Sequence, residues 1–172
     1  MFVSFFPSPR AFFLSAAAWT LFAVLFWFFA AKDMGYLVGL ENPPATAAPI
    51  IGIAVFWSKP FLWFYLYYAL TVGIFAGVWR MLSDQHWFNW SVLGTALIVF
   101  VIYFQVQVSV AINGWYGPFW DMIQAAVSKS RPVTSAEFGG NLLTFFLIAS
   151  VAVTVMALNS FFVSHYLFRW RT

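Results

Sequence analysis

Residues 11–31 read AFFLSAAAWTLFAVLFWFFAA, a run of 21 residues without a charged side chain. An α-helix needs about 20 such residues to cross the hydrocarbon of a bilayer. A signal peptide would have a shorter apolar core followed by a small-residue cleavage site, whereas Ala16, Ala17 and Ala18 lie inside this run. The stretch therefore predicts a membrane-spanning helix that the protein retains.

Three further apolar runs follow the first. The predicted membrane spans are residues 11–31, 60–79, 90–113 with an extension to about residue 124, and 141–168. The third run is too long for a bilayer of about 30 Å at about 1.5 Å per residue, so we expect it to project beyond the membrane. The predicted fold class is an all-α integral membrane protein with about four transmembrane helices.

Two connections between the spans also have a predicted structure. Residues 125–140 contain Lys129, Arg131, Pro132 and Glu137, and this composition favours a loop. Residues 50–57 are expected to form a short interfacial helix.

The composition excludes several classes of protein. Of the 172 residues 63% are hydrophobic and only 8% are charged, whereas a soluble domain carries about 25% charged residues. Eight scattered basic residues are too few for a nucleic-acid surface. Cysteine is absent, and no metal-binding, nucleophile or nucleotide-binding motif is present. We therefore predict no catalytic residue, no metal site, no cofactor and no nucleic-acid partner.

The orientation of the chain depends on the placement of lysine and arginine. One side of the membrane collects Arg10, Arg80, Arg169 and Arg171, and the other collects Lys32, Lys59, Lys129 and Arg131. The two counts are equal, so the residues alone leave the orientation open.

Polar side chains recur along the third span. Gln105, Ser109 and Asn113 are spaced by four residues and share one helical face. Such groups are costly at membrane depth unless they meet partners or water. The face either lines an aqueous cavity or forms interhelical hydrogen bonds, which contribute about 0.6–2 kcal/mol each.

Several single features have two interpretations. Gly73 and Gly77 form a GxxxG motif, for which close packing within one protomer is favoured over a dimer contact. His86 and His165 lie near span ends, where a histidine is more often an amphipathic anchor than a proton relay. Asp121 is either a solvated helix-terminal acid or a carboxylate for substrate or coupling.

Three stretches carry a distinctive combination of motifs. They are residues 1–9 (MFVSFFPSP), 110–124 (VAINGWYGPFWDMIQ) and 159–172 (NSFFVSHYLFRWRT), with shorter matches in the same order at 56–58, 64–68 and 90–98. Together they resemble the SbmA/BacA family of peptide transporters, and BacA most closely. The resemblance covers nearly the whole chain.

The resemblance implies a homodimer whose membrane domain is shaped like that of an ABC exporter but lacks a nucleotide-binding domain. It implies import of peptides, including antimicrobial peptides and peptide-type antibiotics, across the bacterial inner membrane, driven by the proton gradient. The N-terminus, Arg169 and Arg171 would then be cytoplasmic. The residues predicted for the substrate cavity are Gln105, Ser109, Asn113, Trp115 and Asp121, the last near the periplasmic mouth.

Members of this family are much longer than 172 residues. The chain is therefore expected to be the N-terminal part of such a transporter and not to transport by itself. Two other functions stay open at this point. One is the membrane part of an ABC transporter of the peroxisomal type, and the other is a membrane scaffold that binds partners without transporting.

Overall fold

A computed structural model describes residues 6, 8–44 and 46–171, apart from the side chains of Trp170 and Arg171. Every regular element in these residues is helical. The α-helices are α1 (Pro9–Phe29), α2 (Lys59–Leu82), α3 (Thr95–Val127) and α4 (Ser135–Arg171); 3-10 helices span Ala31–Val38 and Ile53–Trp57, and a π-helical turn spans Asn89–Gly94. The predicted all-α fold class is confirmed.

Four helical stretches are long and apolar enough to cross a membrane. They are Pro9–Phe29, Lys59–Leu82, Asn89–Val127 and Ser135–Arg169. The last two contain 39 and 35 residues, and at about 1.5 Å per residue they are long enough to exceed a hydrocarbon layer of about 30 Å by more than 20 Å. The projection expected for the third span therefore applies to the fourth as well.

The connection between α3 and α4 is shorter than the predicted loop at residues 125–140. The α3 helix continues to Val127, and α4 begins at Ser135 rather than near residue 141. The backbone N–H of Glu137 donates to Oγ1 of Thr134 at 3.1 Å, so Thr-Ser-Ala-Glu is a helix-start signal of the S/T-x-x-E kind. The predicted helix at residues 50–57 is likewise shorter, a 3-10 helix limited to Ile53–Trp57.

The chain divides into two compact units. The first contains the described residues of Met1–Ala47, Ser58–Phe100 and Phe161–Thr172, and the second contains Ala48–Trp57 and Val101–Ser160. Both α3 and α4 contribute residues to each unit.

In the first unit, aromatic side chains connect α1 and the following 3-10 helix to α2 by hydrogen bonds. The donor–acceptor pairs are Trp63–Ala31, Tyr67–Ala23, Trp19–Thr71 and Trp79–Ser15, at 2.6–3.1 Å. Three of the acceptors are backbone carbonyls, whose second lone pair is available even within a helix. Polar groups without water must be satisfied inside the protein, so these bonds fix how α1 and α2 pair.

The same unit contains the π-helical turn, which no sequence pattern predicted. Oγ1 of Thr95 donates to the backbone carbonyl of Ser91 at 2.6 Å and is 2.9 Å from the hydroxyl of Tyr166. A Cβ at Gly94 would lie 3.1 Å from the Tyr166 ring. A side chain at residue 94 would therefore require the Tyr166 ring to shift by a few tenths of an ångström, so the glycine favours the close approach of the turn to the end of α4.

In the second unit, α3 contacts α4 through Trp115 and Met122. Its buried residues Val108, Trp115 and Met122 are seven residues apart, a spacing that keeps them on one side of a helix. From α4, Asn141 lies 3.4 Å from the sulfur of Met122, and Ile148 is fully buried. We call Val108, Trp115 and Met122 the α3 seam.

Candidate functional site: the exposed polar side of α3

The structure places Gln105, Ser109 and Asn113 on α3, four residues apart. Ser109 and Asn113 are exposed, and Gln105 is half-buried. The Ser109 hydroxyl donates to the backbone carbonyl of Gln105 at 3.2 Å. In this part of the chain, therefore, the Ser109 side chain bonds to its own helix rather than to a neighbouring one.

Two more residues continue the series at the same spacing. Gly117 and Asp121 follow Asn113, and both are exposed. We call Gln105, Ser109, Asn113, Gly117 and Asp121 the polar stripe. Sequence reasoning included Asp121 but missed Gly117, although the four-residue spacing could have indicated it.

The exposed surface of α3 changes character at Asn113. Before it, the exposed residues include Ile102, Val106 and Val110. From Asn113 to Gln124 no exposed position carries Leu, Ile, Val, Met or Phe. The exposed positions of this stretch are therefore Asn, Gly, Pro, Asp and Gln together with the amphipathic rings of Tyr116 and Trp120, a surface that can meet water or a polar ligand.

A proline adds a backbone acceptor to this half of the helix. Pro118 lies inside α3 and has no N–H to donate to the carbonyl of Gly114. Both residues are exposed, and a Cβ at Gly114 would meet no described atom within 4 Å. The Gly114 carbonyl therefore lacks the usual hydrogen bond from the residue four positions later in the helix.

Trp115 lies apart from the polar stripe. It is 5% exposed, and its indole N–H donates to the backbone carbonyl of Asn141 at 2.9 Å. Its ring centroid is 4.5 Å from that of Phe119 and 4.8 Å from that of Phe145. The structure thus gives Trp115 a packing role between α3 and α4 and does not bring it together with the other four predicted residues.

The charged residues of the second unit lie close together in the sequence, in the last turns of α3, in the α3–α4 connection and at the start of α4. They are Asp121, Lys129, Arg131 and Glu137. Arg131 donates two hydrogen bonds to Glu137, at 2.6 and 2.9 Å, and this pairing raises the pKa of the guanidinium above its ordinary value. Of the described basic groups, none lies within 4.0 Å of the Asp121 carboxylate.

The two histidines pack against aromatic rings in the first unit. The His86 ring is 5.2 Å from Trp87, and the His165 ring is 5.5 Å from Trp90 and 6.4 Å from Phe161. Such packing fits amphipathic anchors better than a proton relay. No group of three or more His, Cys, Asp or Glu side chains that could hold a metal occurs in the described part of the chain.

Gly73 and Gly77 are exposed on α2. A Cβ at either position would meet no described atom within 4 Å. The predicted close packing of this GxxxG motif within the chain is therefore wrong for the residues that the structure describes.

The chain has four long apolar helices, and one of them, α3, has an exposed polar side. These features define the class of this molecule as a multi-pass α-helical membrane protein. The sequence model of the SbmA/BacA-like family matches residues 84–172, just over half of the chain, which include all of α3 and the polar stripe. The chain therefore belongs to the SbmA/BacA-like family. Membership in this transporter family implies transport of peptides across a membrane.

Proposed function

We propose that this protein takes part in importing peptides across the bacterial inner membrane, driven by the proton gradient, and that the polar stripe of α3 lines the path of the peptide. Antimicrobial peptides and peptide-type antibiotics are the proposed substrates. The working form is a homodimer with a cytoplasmic N-terminus. The observation that carries this proposal is the exposed polar half of α3 within a family of peptide transporters.

The chemistry of the stripe suits an extended peptide. A peptide backbone presents N–H and C=O groups along its length, and each must be satisfied when it leaves water. The Asn113 amide can donate and accept, the Gly114 carbonyl can accept, and the absence of side chains at Gly114 and Gly117 lets a peptide approach the helix. Asp121 would attract cationic side chains or the N-terminal amine of the peptide.

Proton coupling fits an alternating-access scheme. A cavity that opens to one side at a time is a two-state equilibrium, and protonation shifts it only if the two states differ in proton affinity. Asp121 supplies the carboxylate on the stripe.

The test compares cells that lack the gene with the same cells carrying the gene's full reading frame, using a fluorescent proline-rich peptide. We expect uptake that depends on the protein and falls to background with a protonophore. The double variant Gln105→Leu, Asn113→Leu is expected to import about tenfold more slowly at equal membrane level, because a loss of about 1.4 kcal/mol of hydrogen bonding to the peptide corresponds to that factor. Val153→Leu, at an exposed apolar position of α4, is the matched control and should import normally.

Each arm of this experiment can contradict a different part of the proposal. Uptake equal to background in producing cells would reject peptide import. Uptake that survives the protonophore would reject proton coupling. Normal uptake by the double-leucine variant would reject the polar stripe as the path.

A further inference from the structure

Two large aromatic side chains lie among the polar residues in the second half of α3. Tyr116 and Trp120 are each 49% exposed. The centroids of their rings are 6.4 Å apart, and the ring planes are inclined to each other by 35°. The peptide path proposed above gives a role to the polar stripe but none to these two rings.

The two rings form a row that runs in the same direction as the polar stripe. Residues four apart on a helix lie one above the other along its axis. Tyr116 directly precedes Gly117 and Trp120 directly precedes Asp121, and all four residues are exposed. A Cβ at Gly117 would meet no described atom within 4 Å, so the glycine leaves room for another backbone to approach the helix beside the rings.

The distance between the rings matches a repeat of an extended peptide. An extended chain rises about 3.2–3.4 Å per residue, and its successive side chains point to opposite sides. Side chains two residues apart therefore point to the same side and are separated by about 6.4–6.8 Å. This separation is close to the 6.4 Å between the centroids of the Tyr116 and Trp120 rings.

The surroundings of the rings favour a peptide over lipid as their partner. Tyrosine and tryptophan also occur at headgroup depth, next to the apolar surface of a span. Val110 is the last exposed aliphatic residue before Tyr116, and at about 1.5 Å per residue the two rings lie about 9 and 15 Å beyond it along the helix. The exposed residues around the rings are instead polar ones, glycines and a proline. A peptide supplies backbone groups for such a surface together with side chains for the rings.

We propose that Tyr116 and Trp120 bind two alternate side chains of an extended peptide whose backbone lies along the polar stripe. This inference rests on the peptide import proposed above and adds which peptides the path prefers. They are peptides with aromatic or large apolar side chains at positions i and i+2, because such side chains pack against aromatic rings. The side chain at position i+1 points to the other side of the peptide and does not contact the rings.

The test compares three fluorescent peptides of identical composition, each with two phenylalanines in a background of serine and lysine, spaced by two, three or four residues. Binding to the protein made from the gene's full reading frame is measured in nanodiscs by fluorescence anisotropy. We expect the peptide with two-residue spacing to bind about fivefold more tightly than the others, the gain from one more aromatic contact. In an extended chain the longer spacings separate the phenylalanines by about 10 and 13 Å, so each of those peptides reaches only one ring.

Variants of the two rings show whether they cause this preference. Trp120→Ala and Tyr116→Ala, made separately, should each weaken binding of the two-residue peptide about fivefold and abolish the preference among the three peptides. Tyr116→Phe keeps the ring and should keep the preference. Trp57→Ala is the matched control, because Trp57 is also exposed, at 73%, but lies outside α3; this variant should bind all three peptides as the unaltered protein does.

Uptake of the same peptides into cells separates this inference from the proposed function. Binding with the two-residue preference but without uptake would reject peptide import and support the ring contacts. Uptake of all three peptides with equal binding would overturn the ring contacts and leave peptide import standing. An unchanged preference in both ring-to-alanine variants would also overturn the ring contacts and leave the rings as headgroup anchors. Tightest binding of the peptide with four-residue spacing would contradict an extended peptide, because that spacing places side chains on one face of a helix.

Discussion

The sequence predicts that Trp115 lines the substrate cavity, whereas the structure gives it a packing role. Replacing Trp115 distinguishes these two roles. Trp115 is 5% exposed, stacks on Phe119 and Phe145, and donates to the Asn141 carbonyl. Trp115→Ala removes the ring and the hydrogen bond. Trp115→Phe keeps an aromatic ring and removes only the N–H donor.

The expected magnitudes differ between the two variants. Truncating a buried tryptophan to alanine destabilises a protein by about 3–5 kcal/mol, because the cavity left behind fills only partly. The phenylalanine variant loses one interhelical hydrogen bond, which contributes about 0.6–2 kcal/mol between membrane helices. Trp120→Ala is the control on the same helix, since Trp120 is 49% exposed, and its effect should stay within about 0.5 kcal/mol.

The free energy of unfolding is best measured in bicelles by steric trapping, with peptide uptake measured in parallel. The packing role predicts that Trp120→Ala is the most stable of the three variants, Trp115→Phe the next and Trp115→Ala the least stable. It also predicts normal uptake by Trp115→Phe. Wild-type stability of Trp115→Ala would refute the seam between α3 and α4. Lost uptake by a stable Trp115→Phe would show that Trp115 contacts the substrate.

Two further predictions concern the first unit. A Cβ at Gly35 would clash with the backbone carbonyl oxygen of Leu40, so Gly35→Ala should lower the free energy of unfolding by about 1–3 kcal/mol. A Cβ at Gly73 meets no described atom within 4 Å. Gly73→Ala should therefore leave the free energy of unfolding unchanged or raise it by up to about 1 kcal/mol. Tyr67→Phe removes the 2.6 Å bond to the Ala23 carbonyl and should cost about 0.6–2 kcal/mol. Steric trapping checks each value, and equal effects of the two glycine variants or a neutral Tyr67→Phe would contradict these contacts.

The fold class was predictable from sequence because the apolar runs are long and almost free of charged side chains. A run such as residues 11–31 has few stable states other than a helix in lipid. The ends of elements were less predictable, as the start of α4 at Ser135 shows. There the cap formed by Thr134 decides the boundary, and the charges nearby, Lys129 and Arg131, suggested a longer loop than the chain forms.

The polarity and spacing of residues along α3 predicted only part of the candidate site. Four-residue spacing identified Gln105, Ser109 and Asn113, but spacing does not say which side of α3 packs on α4. Trp115 lies on the packed side because its indole N–H reaches the Asn141 carbonyl. This contact joins residues 26 positions apart in sequence, so no local pattern could reveal it.

Water access to the polar stripe tests the central claim most directly. The chain contains no cysteine, so single cysteines can be introduced and labelled with a membrane-impermeant maleimide, with and without a proline-rich peptide. We predict that Asn113→Cys and Gly117→Cys are labelled and that the peptide slows their labelling, while Val153→Cys on exposed apolar α4 stays unlabelled. If Asn113→Cys and Gly117→Cys are as unreactive as Val153→Cys, or if the peptide does not protect them, the stripe does not line a peptide path.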